Sequence, residues 1–173
     1  MWSLLEAWRR FVDQPCRRYR NFQVVFTVLT LNFAIPALIY AVAPEVAHEQ
    51  FVRLNQWLGG APYTFPEAGS RFWRYLGTAN VATLAFMCLL LQLDLRRRRI
   101  VLVPLVFLKG TAATLWLLGY LGAPQFPALL AAAVLDYVTC GAFLHFATTA
   151  AREIAGQPDD VLVPRPDGAD LVG

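Results

Sequence analysis

Charge is scarce in this sequence. Asp, Glu, Lys and Arg together make up 16% of the residues while 57% are apolar, against about a quarter charged in an ordinary globular domain. The charges that do occur collect in short blocks separated by long stretches holding one charge or none. Such blocks read as loops between segments that lie in lipid. Lysine is nearly missing: the fifteen basic residues include one, Lys109, and it stands inside an apolar stretch. Metal and redox chemistry have few ligands to draw on. Cys16, Cys88 and Cys140 are far apart with no C-x-x-C or zinc-like spacing, so they read as packing residues or reduced thiols. His48 and His145 fall on opposite sides of the topology derived below. There is no Gly-rich nucleotide loop, and no Ser-His-Asp set can be assembled at one depth. The sequence therefore offers no catalytic residues, no metal site and no cofactor. The formal charge of +3 does not point to nucleic acid, because the arginines cluster beside hydrophobic spans, where basic residues orient membrane proteins.

What is present is a set of four apolar segments, 22–43, 71–93, 100–121 and 126–149. Each is about 20 residues or slightly more, the length that crosses a hydrocarbon core of about 30 Å at 1.5 Å per residue. Ala41-Val42-Ala43 imitates a signal-peptide cleavage site. The apolar run is longer than a signal core of roughly 7–15 residues, and Pro44 directly follows it, so the segment reads as a retained span. Arg17, Arg18 and Arg20 precede the first span, and Asp94 with Arg96 to Arg99 forms a tight basic turn after the second. The intervening segment 44–70 and the Gly122-Ala123-Pro124-Gln125 turn are poor in arginine. The positive-inside rule then places both chain ends in the cytoplasm. The expected fold is all-α, an antiparallel bundle of four transmembrane helices in a bacterial cytoplasmic membrane, the arginine-over-lysine bias being the reason for bacteria.

Three segments flank this bundle. Residues 1–20 space Leu4, Leu5, Trp8, Phe11 and Val12 as an amphipathic helix lying in the membrane interface. In the outer segment 44–70, Ala47, Phe51, Leu54 and Leu58 make one apolar stripe, closed by Gly59-Gly60 as a helix stop. Trp57, Tyr63 and Phe65 would then form an aromatic lid on the outer surface. Ser70 is the expected N-cap of the second span. The tail 150–173 carries five acids, prolines and glycines with no apolar period, a composition that favours disorder.

Each span holds one strongly polar residue near its middle: Asn32, Asn80, Lys109 and Asp136. A lone Lys or Asp at the bilayer centre costs about 2.5–3.5 kcal/mol on insertion scales. Two opposite charges at one depth, on consecutive helices joined by a short turn, remove most of that cost. The sequence thus predicts a Lys109–Asp136 pair facing the bundle interior, with Asn32 and Asn80 completing its hydrogen bonds. Pro36 has no N–H for the carbonyl of Asn32, leaving an acceptor at that level. Such a pair either fixes helix register or binds a proton or ligand. Thr78, Thr83, Thr111, Thr114 and Thr139 either extend a polar path or bond their own helix four residues back, the commoner use of such hydroxyls.

The Phe72-Trp73-Arg74 entry to the second span, followed by Gly77, resembles the aromatic-Arg-x-x-Gly pattern of the DoxX-like group of small bacterial membrane proteins. That resemblance implies four short spans with the N-terminus inside, and a subunit associated with membrane oxidoreductases. The long outer segment, the acidic tail and the Lys–Asp pair depart from the pattern. From the residues themselves the expected role is an accessory or scaffold subunit without an activity of its own, its partners being the lipid bilayer and either another membrane protein or further copies of itself. The rival is a small transporter or lipid-ligand binder that uses Lys109 and Asp136.

Overall fold

A computed structural model of the chain describes Gln14, residues 16–62 and residues 67–157; the side chains of residues 44, 47, 48 and 67–74 are outside that description. The expected interfacial segment at the N-terminus falls almost wholly outside it, as do Tyr63, Phe65 and the chain beyond residue 157. All regular structure among the described residues is helical. In chain order the elements are α1 (Arg17–Val42), α2 (Pro44–Trp57), α3 (Glu67–Leu93), a single turn α4 (Leu95–Arg98) continued by a 3-10 turn (Arg99–Val101), α5 (Leu102–Gly122) and α6 (Pro127–Ile154). Four stretches are long and apolar enough to cross a membrane: Arg17–Val42, Tyr75–Leu93, Leu95–Gly122 and Pro127–Ile154.

These bounds differ from the hydropathy segments for local reasons. The collar Arg17, Arg18 and Arg20 is not a linker but the first turn of α1 itself. Ser70 lies inside α3 rather than capping it, because helix already begins at Glu67 and Glu67-Ala68 are both good helix formers. The last helix runs on to Ile154, past the expected end at 149, since Ala150, Ala151, Arg152 and Glu153 continue the helical propensity beyond the apolar run. The Arg-rich turn is a helix of its own. Asp94 caps it, its carboxylate accepting from the Arg97 N–H at 3.0 Å.

The core is an aromatic ladder on α1 and α6. Tyr19 stacks on Phe22 at 5.8 Å, Phe22 meets Phe26 at 4.3 Å, and Phe26 and Phe33 reach Phe143 at 5.7 and 6.2 Å. Leu84, Cys88 and Leu91 of α3 and Leu102 and Leu105 of α5 close on it. α1 packs most extensively on α3 and α5 on α6, with a further broad contact between α1 and α6.

Helix ends are satisfied by groups from other helices. The N-cap Cys16 makes no side-chain bond to α1; instead the Tyr19 N–H in the first turn donates to Glu153 Oε2 at 2.9 Å, from the far end of α6. Arg96 in turn donates to the carbonyls of Ile154 and Gln157. A carboxylate thus sits at a helix N-terminus and a guanidinium at a C-terminus, both favourable with the helix dipole. The start of α1, the basic turn and the end of α6 therefore meet at one end of the molecule.

At the opposite end α2 is held by a polar residue. Asn55 is fully buried; its amide donates to the Ala61 carbonyl at 2.8 Å and its Oδ1 accepts from the Ala128 N–H in the first turn of α6 at 3.3 Å. Of the expected apolar stripe, Leu54 and Leu58 are exposed and Phe51 is half-buried. Gly59, at φ +80°, turns the chain back in the left-handed region that glycine adopts without cost. Gly60 must be glycine for space: a Cβ there would lie 2.5 Å from Asn55 Nδ2. Asn55→Ala should lose the cap on α6 and destabilise the protein by about 1–2 kcal/mol, and Gly60→Ala should lower the melting temperature in the same sense; thermal unfolding in detergent measures both, and an unchanged midpoint in each would remove Asn55 as the tie.

Candidate functional site

Lys109 lies thirteen residues before the end of α5 and Asp136 nine residues past the start of α6, so the turn between the helices brings them within a helical turn or so of one depth, a gap the long lysine side chain spans. Their side chains meet: Lys109 Nζ donates to Asp136 Oδ1, and each side chain is 13% exposed. Both project toward α1, where Lys109 Nζ lies 5.2 Å from the centroid of Phe33, close enough for the ring face to attract the ammonium. The contact is one of a series. Cys140 Sγ approaches the Val106 carbonyl at 3.7 Å, and the hydroxyls of Thr114 and Tyr137 are 3.0 Å apart. From Val106 to Lys109 to Gly119 the partners on α6 run back from Cys140 to Asp136 to Leu129, with the Tyr137 hydroxyl reaching along to Thr114, and these contacts fix the register of the two helices. Gly119 faces Leu129 further along.

The other two expected members are not there. Asn32 and Asn80 are both exposed, and among the described residues neither side chain has a hydrogen-bond partner. The expectation that they complete the Lys–Asp site is corrected on this point, for a geometric reason. Asn32 precedes Phe33, which faces the core, and successive residues on a helix differ by about 100°. Depth along the span is shared, but direction is not. Trp57 is 81% exposed at the end of α2, and its proposed lid partners Tyr63 and Phe65 lie outside the described residues. Three of the five threonine hydroxyls follow the commoner pattern: Thr83, Thr114 and Thr139 bond the carbonyls of Ala79, Gly110 and Leu135 in their own helices at 2.7, 2.9 and 2.7 Å, whereas the Thr78 hydroxyl is buried without a partner among the described residues. His145 is exposed against Phe146. Among the described residues no three His, Cys, Asp or Glu side chains converge on a metal position.

A second buried polar cluster joins α1 to α3, and sequence reasoning missed it. Gln23 and Gln92 are almost wholly buried. Gln92 Nε2 donates to the Phe26 carbonyl at 3.0 Å and to Thr30 Oγ1 at 2.6 Å, while its Oε1 accepts from Thr27 Oγ1 at 2.8 Å. Gln23 Nε2 donates to Tyr19 Oη at 2.9 Å and to the Gln92 carbonyl at 3.0 Å. The signal was in the spacing: Tyr19, Gln23, Thr27 and Thr30 form one polar stripe on α1.

A shallow groove of about 410 Å³ runs along the other side of the α5–α6 seam, lined by Val106, Phe107, Gly110, Thr111, Thr114, Leu115 and Tyr137. Gly110 and Tyr137 are the sequence neighbours of Lys109 and Asp136, and the groove includes neither charge. What the pair can do in this geometry is neutralise itself and lock register.

That role has a thermodynamic signature. Lys109→Met or Asp136→Leu alone strands an apolar-bound charge and should cost about 2.5–3.5 kcal/mol, whereas the double replacement should recover most of the loss; melting temperature and yield of the four proteins close the cycle, and a double variant as unstable as the singles would reject the pair. Gln92→Leu should destabilise by about 1–3 kcal/mol, since it takes a partner from the Thr27 and Thr30 hydroxyls and from the Phe26 carbonyl, and is checked by the same melt.

No family model, curated protein or solved structure matches this chain.

Proposed function

We propose that this chain is an integral membrane protein whose four long helices form an antiparallel bundle, and that it serves as an accessory or scaffold subunit of a membrane complex with no reaction of its own. The observation that carries the first part is the surface. Only 17–33% of each spanning window is buried inside the protein, while Val28, Leu38, Phe107, Leu115, Leu135 and Val138 are each at least 60% exposed and Phe86 of α3 is 58% exposed. An apolar surface of that extent on every long helix is stable against lipid and not against water. α1, with 26 residues, is about 39 Å long, enough to pass a core of about 30 Å and leave its arginine turn among the headgroups. The gathering of Arg17, Arg18, Arg20 and the basic turn at one end, with the tail leaving from the same end, supports a cytoplasmic location for both termini.

The subunit reading is supported by how the polar groups are used. Lys109–Asp136, Gln23–Gln92, Glu153, Arg96 and Asn55 each fasten one helix to another. None of them points into the groove on the α5–α6 seam. A transporter using the Lys–Asp pair would need a path to it, which is why that reading ranks second. The aromatic-Arg-x-x-Gly entry to α3 extends the proposal to the kind of assembly in which DoxX-like subunits sit, with a bacterial cytoplasmic membrane as the setting. In such a setting an unpartnered carboxamide is costly, about 4–8 kcal/mol for transfer from water to hydrocarbon.

Two measurements test this. Cysteines placed at Gln125 and at Arg99, in a background lacking Cys16, should react with impermeant maleimide from opposite sides of the membrane; labelling from one side only would overturn the topology. Gentle crosslinking in native membranes followed by affinity capture should yield a discrete complex containing a second polypeptide. Recovery of the chain without one, together with a proton flux in vesicles that disappears in Asp136→Asn, would replace the subunit reading with the transporter.

A further inference from the structure

The corrected position of Asn32 leaves a polar spot on the outside of the protein, halfway along α1. Asn32 lies fifteen residues beyond Arg17, about 22 Å into a helix of about 39 Å. It is exposed, and its carboxamide has no partner among the described residues. The main-chain carbonyl of the same residue is short of a donor too, because the residue four positions on is Pro36, which has no N–H. Around it the surface is aliphatic: Val28, Leu31 and Ile35 are 60%, 52% and 55% exposed. Asn80 is exposed as well, but Leu84 follows it at the same interval, so its carbonyl keeps an ordinary helical donor. Position 32 thus combines two unmet needs, a carboxamide and a bare carbonyl, at one level.

Resting on the membrane reading, we propose that this face of α1 is a self-association surface, on which Asn32 pairs with Asn32 of a second copy of the chain. Acyl chains surround that depth and offer neither donor nor acceptor. Headgroups lie at the ends of the helix, far above and below. The partner is therefore another protein helix, and the chemistry at position 32 selects this one. A carboxamide carries two N–H donors and one carbonyl acceptor. Across a two-fold axis each amide gives one N–H to the other's oxygen, and the second N–H remains for the carbonyl that Pro36 leaves bare. Symmetry supplies both halves of the arrangement at once. No charged side chain stands on the Val28–Asn32–Ile35 stripe to demand a different partner.

The test uses the full chain in lipid nanodiscs and vesicles. In a Cys16→Ser background, with Cys88 and Cys140 buried, Ile35→Cys should form a disulfide-linked dimer on mild oxidation in the membrane, and Leu135→Cys on α6 should not. Dye-labelled protein diluted into vesicles should show energy transfer between copies. Asn32→Leu should weaken that association about tenfold, the scale expected from losing two interhelical hydrogen bonds of this kind, while Asn32→Gln, which keeps the carboxamide, should retain it. Association unchanged in Asn32→Leu overturns the proposal, and so does a crosslink from Ile35→Cys to a different polypeptide in native membranes. Alkaline carbonate extraction of the same samples separates this from failure of the membrane reading: a chain that stays in the membrane pellet but remains monomeric removes only the self-association, whereas a chain released to the supernatant removes the spanning helices themselves.

Discussion

A charge withdrawn from water keeps its charge only beside an opposite one, and a peptide group withdrawn from water must find a hydrogen bond. This protein meets the first condition, and at several helix ends the second, across helices rather than within them. Lys109 on α5 and Asp136 on α6 neutralise each other, and the rest of the packing is consistent with that one fixed register: Cys140 against Val106 on one side, Thr114 against Tyr137 on the other, and Phe33 of α1 laid over the ammonium. A shift of either helix by a single residue would rotate a charge by about 100° out of the interior.

The same principle recurs at both ends of the molecule. Glu153 satisfies the start of α1, Arg96 the end of α6 and Asn55 the start of α6. Each of these ties crosses from one element to another far away in sequence, so each helix end is stable only when the others are in place. Between the levels lie the aromatic ladder from Tyr19 to Phe143 and the Gln23–Gln92 cluster. In a setting where apolar side chains gain little by leaving lipid for protein, close packing and interhelical hydrogen bonds are what hold helices together. The use of Lys109, Asp136, Gln92, Glu153, Arg96 and Asn55 for fastening is why the subunit reading fits better than a reaction or a transport path.

Position along the chain and position around the helix carry different kinds of information. Four apolar stretches, arginines at alternate turns and one strongly polar residue per span were all legible in the sequence, because hydropathy and the 1.5 Å rise report length and depth. The Lys109–Asp136 meeting was legible for the same reason, with the added help of charge: two midplane charges of opposite sign on adjacent helices have few other ways to be accommodated. The Gly59-Gly60 stop could be read from backbone chemistry alone.

Which way Asn32 and Asn80 face, that Gln23 and Gln92 are interior, and that Asn55 ties α2 to α6 were decided only by the tertiary structure. A helix in contact with water shows its inner face by the contrast between apolar and polar sides. In α1 and α5 both faces are apolar, one turned to other helices and one outward, so the contrast vanishes and the direction of a lone polar residue is set by which neighbours pack against it. The sequence determined how deep each group lies; the packing of α1 against α3 and α6 determined whom it meets.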